Sequence, residues 1–377
     1  MWDLKQNKSI CIYPFVHKHF SLENNEERLC CMGTGSYGTN GHDNTKIRKQ
    51  VIQDMQAGKP IKGCESCYSD EKGGFVSMRI EKTKQWIKRY GEPTQVDMQW
   101  YDIRNDDTCN LKCKYCGPYA STMWKKELGI TAKPKKQIDL NDNEIANCKV
   151  WYQAGGEPFL NQPFFNIVEK FTQINPDVEM TINSNMSNVS DKWLKLLSKL
   201  QNLHIISSID ATGDLLTYLR YPVTEEKITN SIKKLYDQTD ATIMAGPVLS
   251  NLGIGHLLKT MKYLIEQLKD ASMIDIGLVN SPDEFSIKAI PYNIRKDYLE
   301  IVYKTKQLCK QSIKSIRVVK ILDGLDKIVQ NLESLDYDKT LHLKLQNTCT
   351  LQDNRRSLKL ADVDPYLHSW VYDKYIT

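Results

Sequence analysis

The sequence lacks any apolar run of the roughly 18 to 20 residues that a membrane-spanning helix needs, which predicts a protein that is not inserted in a membrane. Its first residues, MWDLKQNKSI, lack the basic-then-apolar layout of a secretion signal, so we expect the protein in the cytoplasm. The sequence also lacks a long block of lysine and arginine. The 51 basic and 46 acidic residues leave a net charge of only +5, which gives weak support for a nucleic acid partner.

Cysteine, by contrast, is plentiful. The 377 residues include eleven cysteines, and a chain of this length is no small disulfide-stapled scaffold. In a reducing compartment such a number favours metal or cluster ligation over disulfides. Three isolated cysteines, Cys148, Cys309 and Cys349, are predicted to be buried apolar side chains or spare thiols.

Three of the remaining cysteines form a Cys-x3-Cys-x2-Cys run. Cys109, Cys113 and Cys116 place three thiolates in one short loop. A structural zinc site needs four protein ligands, and a simple electron-transfer iron–sulfur cluster needs four cysteines. Three cysteines leave one coordination position open, so the loop predicts either a [4Fe–4S] cluster with one open iron or a zinc site with an open position.

This loop resembles the cluster-binding loop of the radical SAM superfamily, Cys-x3-Cys-x-aromatic-Cys, with Tyr115 as the aromatic residue. The resemblance implies that Cys109, Cys113 and Cys116 are catalytic residues that hold a [4Fe–4S] cluster. It implies that the fourth iron binds the amino and carboxylate groups of S-adenosylmethionine (SAM), which one electron cleaves to a 5′-deoxyadenosyl radical. In such a reaction the cofactor performs the difficult step, while the protein supplies positioning and excludes water.

Beyond residue 98, apolar segments of strand length alternate with segments of helical periodicity. This alternation is typical of repeated βα units and a parallel sheet. The predicted strands are 98–104, 149–155, 178–184, 203–209, 241–249 and 273–279. Six such units predict an α/β fold with a partial (β/α)6 TIM-like barrel. Ser190 is the predicted N-cap of one of the helices between the strands.

Ligands of parallel α/β folds bind beyond the carboxyl ends of the strands. Gly155, Gly156 and Glu157 follow the second predicted strand, 39 residues after Cys116. Glycines allow close approach of the backbone to a ligand, and a carboxylate can accept hydrogen bonds from an ammonium group. The segment is either an ordinary tight turn or, as the resemblance implies, the site that binds the amino group of SAM.

Further polar residues follow the later strands. The resemblance implies that the other residues that bind SAM are Tyr115, Asn183, Asn185, Ser208, Asp210, Arg220 and Val248. The asparagines suit ribose hydroxyls or a carboxylate, although an Asx turn is the alternative. The planar fork of Arg220 suits the SAM carboxylate, and a surface arginine is the alternative.

The N-terminal cysteines form a second group. Its members are Cys11, Cys30, Cys31, Cys64 and Cys67. They predict either a structural zinc site or an auxiliary [4Fe–4S] cluster. Because adjacent side chains of an extended segment point apart, only one of Cys30 and Cys31 is expected to be a ligand. The arrangement resembles a twitch-like half of the SPASM domain, which implies membership of the SPASM/Twitch group.

Four segments follow from these interpretations. Residues 1–75 form a cysteine-rich auxiliary-cluster domain, 76–97 a linker helix, 98–290 the radical SAM barrel, and 291–377 a helical C-terminal extension. In the last segment Arg355 and Arg356 are expected to be a solvated pair, with contact to an anionic substrate as the alternative.

The substrate is the least determined feature. Because relatives of the SPASM/Twitch group often modify peptides, we expect hydrogen abstraction from a peptide or protein side chain. Radical modification of a nucleotide, DNA base or carbohydrate is the second possibility, and a zinc- or cluster-stabilised binding module is the non-enzymatic one. The radical reaction implies an electron donor such as flavodoxin or ferredoxin as a partner.

Overall fold

The computed structural model describes residues 2–20, 27–33, 38–39, 44–104, 106–131 and 138–373. Its strands are β1 His17–Phe20, β2 Glu27–Arg28, β3 Gly38–Thr39, β4 Trp100–Ile103, β5 Val150–Gln153, β6 Glu179–Ser184, β7 Leu203–Ser207, β8 Thr242–Ala245, β9 Val248–Leu249 and β10 Gly277–Leu278.

The described helices run along the whole chain. They are α1 Tyr13–Val16, α2 Asn44–Gln56, α3 Glu65–Lys72, α4 Met78–Tyr90, α5 Thr122–Leu128, α6 Asp142–Asn147, α7 Gln162–Ile174, α8 Asp191–Leu197, α9 Gly213–Leu219, α10 Glu225–Gln238, α11 Leu257–Gln267, α12 Tyr292–Ser312, α13 Val318–Ser334, α14 Lys339–Arg356, α15 Leu360–Val363 and α16 Pro365–Val371. In the described part of the chain, no helix is both long and apolar enough to cross a membrane.

The chain divides into two compact units. The first comprises Met1–Thr108, Ala132–Ile182 and Lys199–Leu203, and the second comprises Cys109–Thr131, Asn183–Ser198 and His204–Thr377.

The first unit contains a sheet in which β1, β4, β5 and β6 run parallel. His17 of β1 lies opposite Trp100 of β4, and Trp100 lies opposite Val150 of β5. Val150 in turn pairs with Glu179 of β6, while β2 and β3 extend the sheet antiparallel beyond β1. The N-terminal segment therefore supplies a strand to the parallel sheet, a pairing for which the sequence carries no local signal.

Helix α7 shows how the sequence covers this sheet. Phe164, Phe165, Val168 and Phe171 recur at helical spacing and are all buried. Asn161 caps the helix, since its side chain accepts a hydrogen bond from the backbone N–H of Phe164 at 2.9 Å. The apolar stripe therefore faces the core, and the local cap determines where the helix begins.

The second unit begins with the cysteine loop and includes the last helices. Within it β7 pairs parallel with β8, and β9 pairs parallel with β10. Ser190 caps α8 as predicted, because its hydroxyl accepts a hydrogen bond from the backbone N–H of Trp193. Cys309 and Cys349 lie buried in α12 and α14, and Cys148 is buried in the first unit, which confirms the prediction for the isolated cysteines.

Two predicted strands differ from the observed ones. The segment 241–249 divides into β8 and β9, because Pro247 stands between them and has no N–H to continue a ladder. Of the segment 273–279, only Gly277–Leu278 is a strand. A short 3₁₀ helix, Ala271–Met273, comes before it because the Asp270 side chain caps that turn through the N–H of Ser272 at 2.9 Å.

The predicted α/β class is confirmed. Parallel strands alternate with helices from β4 onward in the order of a partial TIM-like barrel, and helices α12 to α16 form the C-terminal region.

Candidate active site

The cysteine loop is fixed from its C-terminal side by helix α5. The hydroxyl of Thr122 accepts a hydrogen bond from the backbone N–H of Cys109 at 3.2 Å. The indole N–H of Trp124 donates to the carbonyl oxygen of Cys113 at 3.1 Å, and the N–H of Cys116 donates to the same carbonyl at 3.1 Å. The loop backbone is therefore held by hydrogen bonds from helix α5 and from within the loop.

Two of the three thiols, those of Cys113 and Cys116, lie in a largely desolvated environment. Burial raises the pKa of Cys116 to about 11 and also raises the pKa of Cys113. Iron and zinc bind thiolates, so metal binding at this loop would release protons. Among the described residues, no group of three or more His, Cys, Asp or Glu side chains is arranged to hold a metal ion in this structure.

Asn185 approaches the first cysteine. Its amide nitrogen lies 3.9 Å from the sulfur of Cys109 and donates to the side chain of Asn110 at 3.1 Å. The next residue, Met186, has a positive φ of 56°, which turns the chain sharply after β6. Asn185 is therefore placed beside the cysteine loop.

Asn183 and Ser208 meet each other. The hydroxyl of Ser208 donates to the side-chain oxygen of Asn183 at 3.0 Å. Asn183 lies near the end of β6 and Ser208 directly follows β7, and the structure brings them together as a pair of polar groups.

Asp210 is the centre of a second polar group. Its carboxylate accepts hydrogen bonds from the hydroxyl of Tyr115, from Arg220 at 2.5 Å and from the backbone N–H of Val248 at 2.8 Å. Burial raises the pKa of Tyr115, so the phenol stays protonated and acts as the donor. Three of the predicted SAM-binding residues thus donate hydrogen bonds to the carboxylate of a fourth, Asp210.

The Arg220 side chain is buried, so the surface alternative is wrong. Only 12% of it is exposed. Its Nε atom is buried and has no hydrogen-bond partner among the described residues. This orphaned donor fits a carboxylate ligand, because an unpaired buried N–H costs free energy that such a ligand would recover.

The Gly155–Gly156–Glu157 turn lies in the first unit. A Cβ atom on Gly156 would come within 2.4 Å of the carbonyl oxygen of Thr108, and the φ of Gly156 is +54°. The N–H of Glu157 donates to that carbonyl at 2.7 Å. The Glu157 side chain is 2% exposed and accepts a hydrogen bond from the N–H of Phe159 at 3.2 Å. The turn is therefore packed directly against the residue that precedes Cys109 in the sequence.

Four of the five N-terminal cysteines line one cavity. Cys11, Cys30, Cys64 and Cys67 contribute to its wall together with Arg79. Arg79 is 2% exposed and makes a two-pronged ion pair with Glu71, at 2.6 and 3.0 Å. The structure thus brings together thiols that are separated by up to 56 residues of sequence.

These thiols are also desolvated. Burial raises the pKa of Cys11 to about 12 and that of Cys64 to about 11. Cys31, unlike Cys30, is not among the described residues that line this cavity. Its pKa is raised first by a hydrogen bond with Cys30 and then by burial. Of this pair, Cys30 is the one that lines the cavity with Cys11, Cys64 and Cys67.

Residues 107–264 match the sequence model of the radical SAM superfamily. This segment, which is less than half of the chain, is similar to radical SAM domains. Such a domain indicates an enzyme and implies a [4Fe–4S] cluster and SAM. The matched segment includes the cysteine loop and every residue predicted to bind SAM, whereas the N-terminal cysteines and helices α12 to α16 lie outside it.

One curated relative is GTP 3′,8-cyclase of Streptomyces coelicolor, which is 31% identical over 81 residues, or 21% of this chain and 24% of the relative. The chain therefore spans about a quarter of the length of that relative. Among solved structures it is similar to anSMEcpe with bound AdoMet, with 17% identity over 62% of this chain and 66% of that one and a TM-score of 0.42. It is also similar to SuiB of Streptococcus suis, with 10% identity over 88% and 77% of the two chains and a TM-score of 0.41.

Sequence reasoning missed the side chains that surround the cysteine loop from helix α14. Arg356 was expected to be half of a solvated pair, and this expectation is wrong, since its side chain is 1% exposed. Sequence reasoning did not single out Asp353, whose carboxylate forms an ion pair with Lys114 of the loop at 2.5 Å. No local pattern marks these residues, because their partners are distant in the sequence.

Proposed function

We propose that this chain is a radical SAM enzyme that reductively cleaves SAM and uses the resulting 5′-deoxyadenosyl radical to abstract a hydrogen atom from a peptide or protein side chain. The observation that carries the proposal is the loop of Cys109, Cys113 and Cys116, which places three thiols in one short segment whose backbone is held by hydrogen bonds. A [4Fe–4S] cluster held there would supply the electron and the open iron. A zinc site would supply neither the electron nor the radical.

The side chains of the second unit suit particular parts of SAM. Arg220 offers its unpaired Nε to the carboxylate, and Asp210 holds the guanidinium in position. The Asn183–Ser208 pair offers polar groups for the ribose hydroxyls. Asn185 supports the loop through Cys109 and Asn110.

For the first unit the resemblance assigns the amino group of SAM to Gly155, Gly156 and Glu157. We retain this assignment as part of the proposal. The close packing of Gly156 on Thr108 supports a backbone conformation that no other residue could adopt at that point.

The N-terminal cavity is the proposed site of an auxiliary [4Fe–4S] cluster with Cys11, Cys30, Cys64 and Cys67 as ligands. Cys11 is buried and the other three cysteines are partly buried. Four thiols around one cavity match the ligand number of such a cluster, and equally that of a structural zinc ion. We retain residues 1–75 as the auxiliary domain, 76–97 as the linker, 98–290 as the barrel and 291–377 as the extension. SPASM/Twitch membership is part of the same proposal.

The SAM-cleavage proposal is tested with Cys113→Ala. Protein reconstituted without oxygen and supplied with dithionite and SAM should form 5′-deoxyadenosine, and Cys113→Ala should not. Cys309→Ala is the matched control, because it removes an equally buried thiol in α12, far along the sequence from the loop. Cleavage at the normal rate by Cys113→Ala would contradict the assignment.

The auxiliary site is tested by iron and zinc content. About eight irons and no zinc per chain would follow from two four-iron clusters. Cys30→Ala should then lose about four irons, whereas Cys31→Ala should keep them. About four irons plus one zinc would replace the auxiliary cluster by a structural zinc site.

The substrate is tested by isotope transfer. Deuterium from a labelled peptide should appear in 5′-deoxyadenosine, with flavodoxin or ferredoxin as the electron donor. A nucleotide is the second candidate, and the local match to GTP 3′,8-cyclase favours it. Transfer from a labelled nucleotide and none from peptides would replace the first candidate by the second.

A further inference from the structure

The cysteine loop is held on one side by backbone hydrogen bonds to the last residue of α9 and to the segment that follows it. The N–H of Lys112 donates to the carbonyl of Tyr221, and the N–H of Lys114 donates to the carbonyl of Leu219, both at 2.7 Å. These bonds flank Cys113 in the sequence. The loop therefore has a fixed backbone to which helix α14 adds side-chain contacts.

Helix α14 contacts the loop first through Lys114. The ammonium group of Lys114 pairs with Asp353 at 2.5 Å and lies 3.7 Å from the ring centroid of Tyr218. The backbone carbonyl of Lys114 accepts a hydrogen bond from the amide of Gln352 at 3.2 Å. Lys114 is 2% exposed, so its ammonium group is buried, and its ion-pair partner comes from α14.

The second contact is Arg356, one turn further along α14. Its guanidinium carbon lies 4.6 Å from the ring centroid of Trp124, the residue whose indole donates to the Cys113 carbonyl. Its Nε lies 3.5 Å from the Glu127 carboxylate, while both terminal nitrogens are buried and lack hydrogen-bond partners in the described ranges. Burying a guanidinium whose two terminal nitrogens lack hydrogen bonds is costly, which is unusual unless its charge serves a purpose.

The charges around the loop do not cancel. The cations are Lys112, Lys114 and Arg356, and the carboxylates are Glu127 and Asp353. On the other side, Arg220 and Asp210 neutralise each other. Burial raises the pKa of the Cys113 thiol, and the charges of Arg220 and Arg356 offset part of this rise. Among these ion pairs the cations outnumber the carboxylates by one.

We propose that Arg356 is a positioning residue whose buried charge raises the reduction potential of a [4Fe–4S] cluster held by Cys109, Cys113 and Cys116. The reduced cluster carries one more negative charge than the oxidised one, so a nearby cation favours reduction. Net charge and burial are among the factors that set the potentials of iron–sulfur clusters. This inference rests on the proposed cluster, and it gives the C-terminal helices a part in the reaction that the sequence did not indicate.

The experiment measures the midpoint potential of the loop cluster by a redox titration that is monitored by electron paramagnetic resonance. The protein carries Cys64→Ala, which empties the auxiliary site. Arg356→Gln should make the potential more negative, with a reduction equilibrium weaker by about tenfold, which is about 59 mV for one electron. Glu127 keeps a partner in this variant, because Lys112 lies 2.5 Å from the same carboxylate. Arg356→Lys should retain most of the potential.

Two further variants make the result specific. Arg355→Gln removes the same charge from the exposed neighbouring position of α14 and should leave the potential unchanged. Glu127→Gln leaves Arg356 and Lys112 without their carboxylate and should move the potential in the opposite direction, to less negative values. If Arg356→Gln does not take up iron, the midpoint potential of Glu127→Gln tests the inference by itself.

The outcomes separate the two proposals. If neither the unmutated protein nor Cys64→Ala forms a four-iron cluster, the proposed function is contradicted. A normal cluster whose potential is the same in the parent, Arg356→Gln and Glu127→Gln overturns the present inference and leaves the proposed function intact.

Discussion

The contact between Gly156 and Thr108 gives the sharpest prediction. A methyl group at Gly156 would lie 2.4 Å from the Thr108 carbonyl oxygen and 3.0 Å from its carbon, whereas ordinary contacts begin at 3.4 Å. In Gly156→Ala the turn and the Thr108 backbone must therefore separate by about 1 Å. The residue after Thr108 is Cys109, so this displacement is passed along the chain to the start of the cysteine loop.

Two costs follow from this substitution. A left-handed conformation costs a residue with a side chain about 1 to 2 kcal/mol, and the steric clash adds to it. The displacement matters more for function, because a misplacement of 1 Å near reacting groups can lower a rate by about 100-fold. We therefore expect Gly156→Ala to form 5′-deoxyadenosine about 100-fold more slowly than the unmutated protein, with a modest loss of stability.

Gly129→Ala separates these two costs. Gly129 has a similar φ of +66°, at the end of α5, but a Cβ atom there would meet nothing within 4 Å. This control should lower the free energy of unfolding by about 1 kcal/mol and leave SAM cleavage unchanged. The assay is single-turnover formation of 5′-deoxyadenosine at matched iron content. Equal rates for Gly156→Ala and Gly129→Ala would refute the argument that the close approach matters.

Two other predictions concern stability. Glu71→Gln should cost about 2 kcal/mol in urea denaturation, because it breaks a charged pair with buried Arg79. Burial alone would raise the pKa of Glu71, but the hydrogen bonds from Arg79 and Ser77 outweigh it and lower the pKa. The stabilisation by Glu71 is therefore present above the unfolded pKa of about 4.3 and is lost as the pH falls through the pKa of Glu71 in the folded protein. The free energy of unfolding of Glu71→Gln should therefore depend less on pH in the acid range. Phe171→Ala, which empties a site with 0% exposure in α7, should cost about 3 to 5 kcal/mol, whereas Gln173→Ala on the exposed face should change the midpoint little.

Local signals predicted the helices of the barrel well. The segment 225–238 has apolar residues at helical spacing, and α10 covers Glu225–Gln238. Ser190 caps α8 through a contact only three residues long. Spacing and caps are short-range properties, so a sequence contains all the information that they require.

Long-range pairings could not be predicted in this way. The strand β1 pairs with β4, although some eighty residues lie between them, and nothing in the four residues His17–Phe20 announces that partner. Asp210 was one of several polar residues predicted individually. Only the structure shows that Tyr115, Arg220 and Val248 all converge on its carboxylate.

Arg355 and Arg356 illustrate the physical reason. As neighbours in a polar sequence they are equivalent, and a solvated pair is the ordinary expectation. On a helix, however, adjacent residues point about 100° apart, so one can be exposed while the other is buried. Arg356 points toward Trp124 and Glu127, which the chain passes more than two hundred residues earlier. The charge beside the cysteine loop is therefore a property of tertiary structure, and it can be tuned by changes in α14 that leave the Cys-x3-Cys-x2-Cys motif untouched.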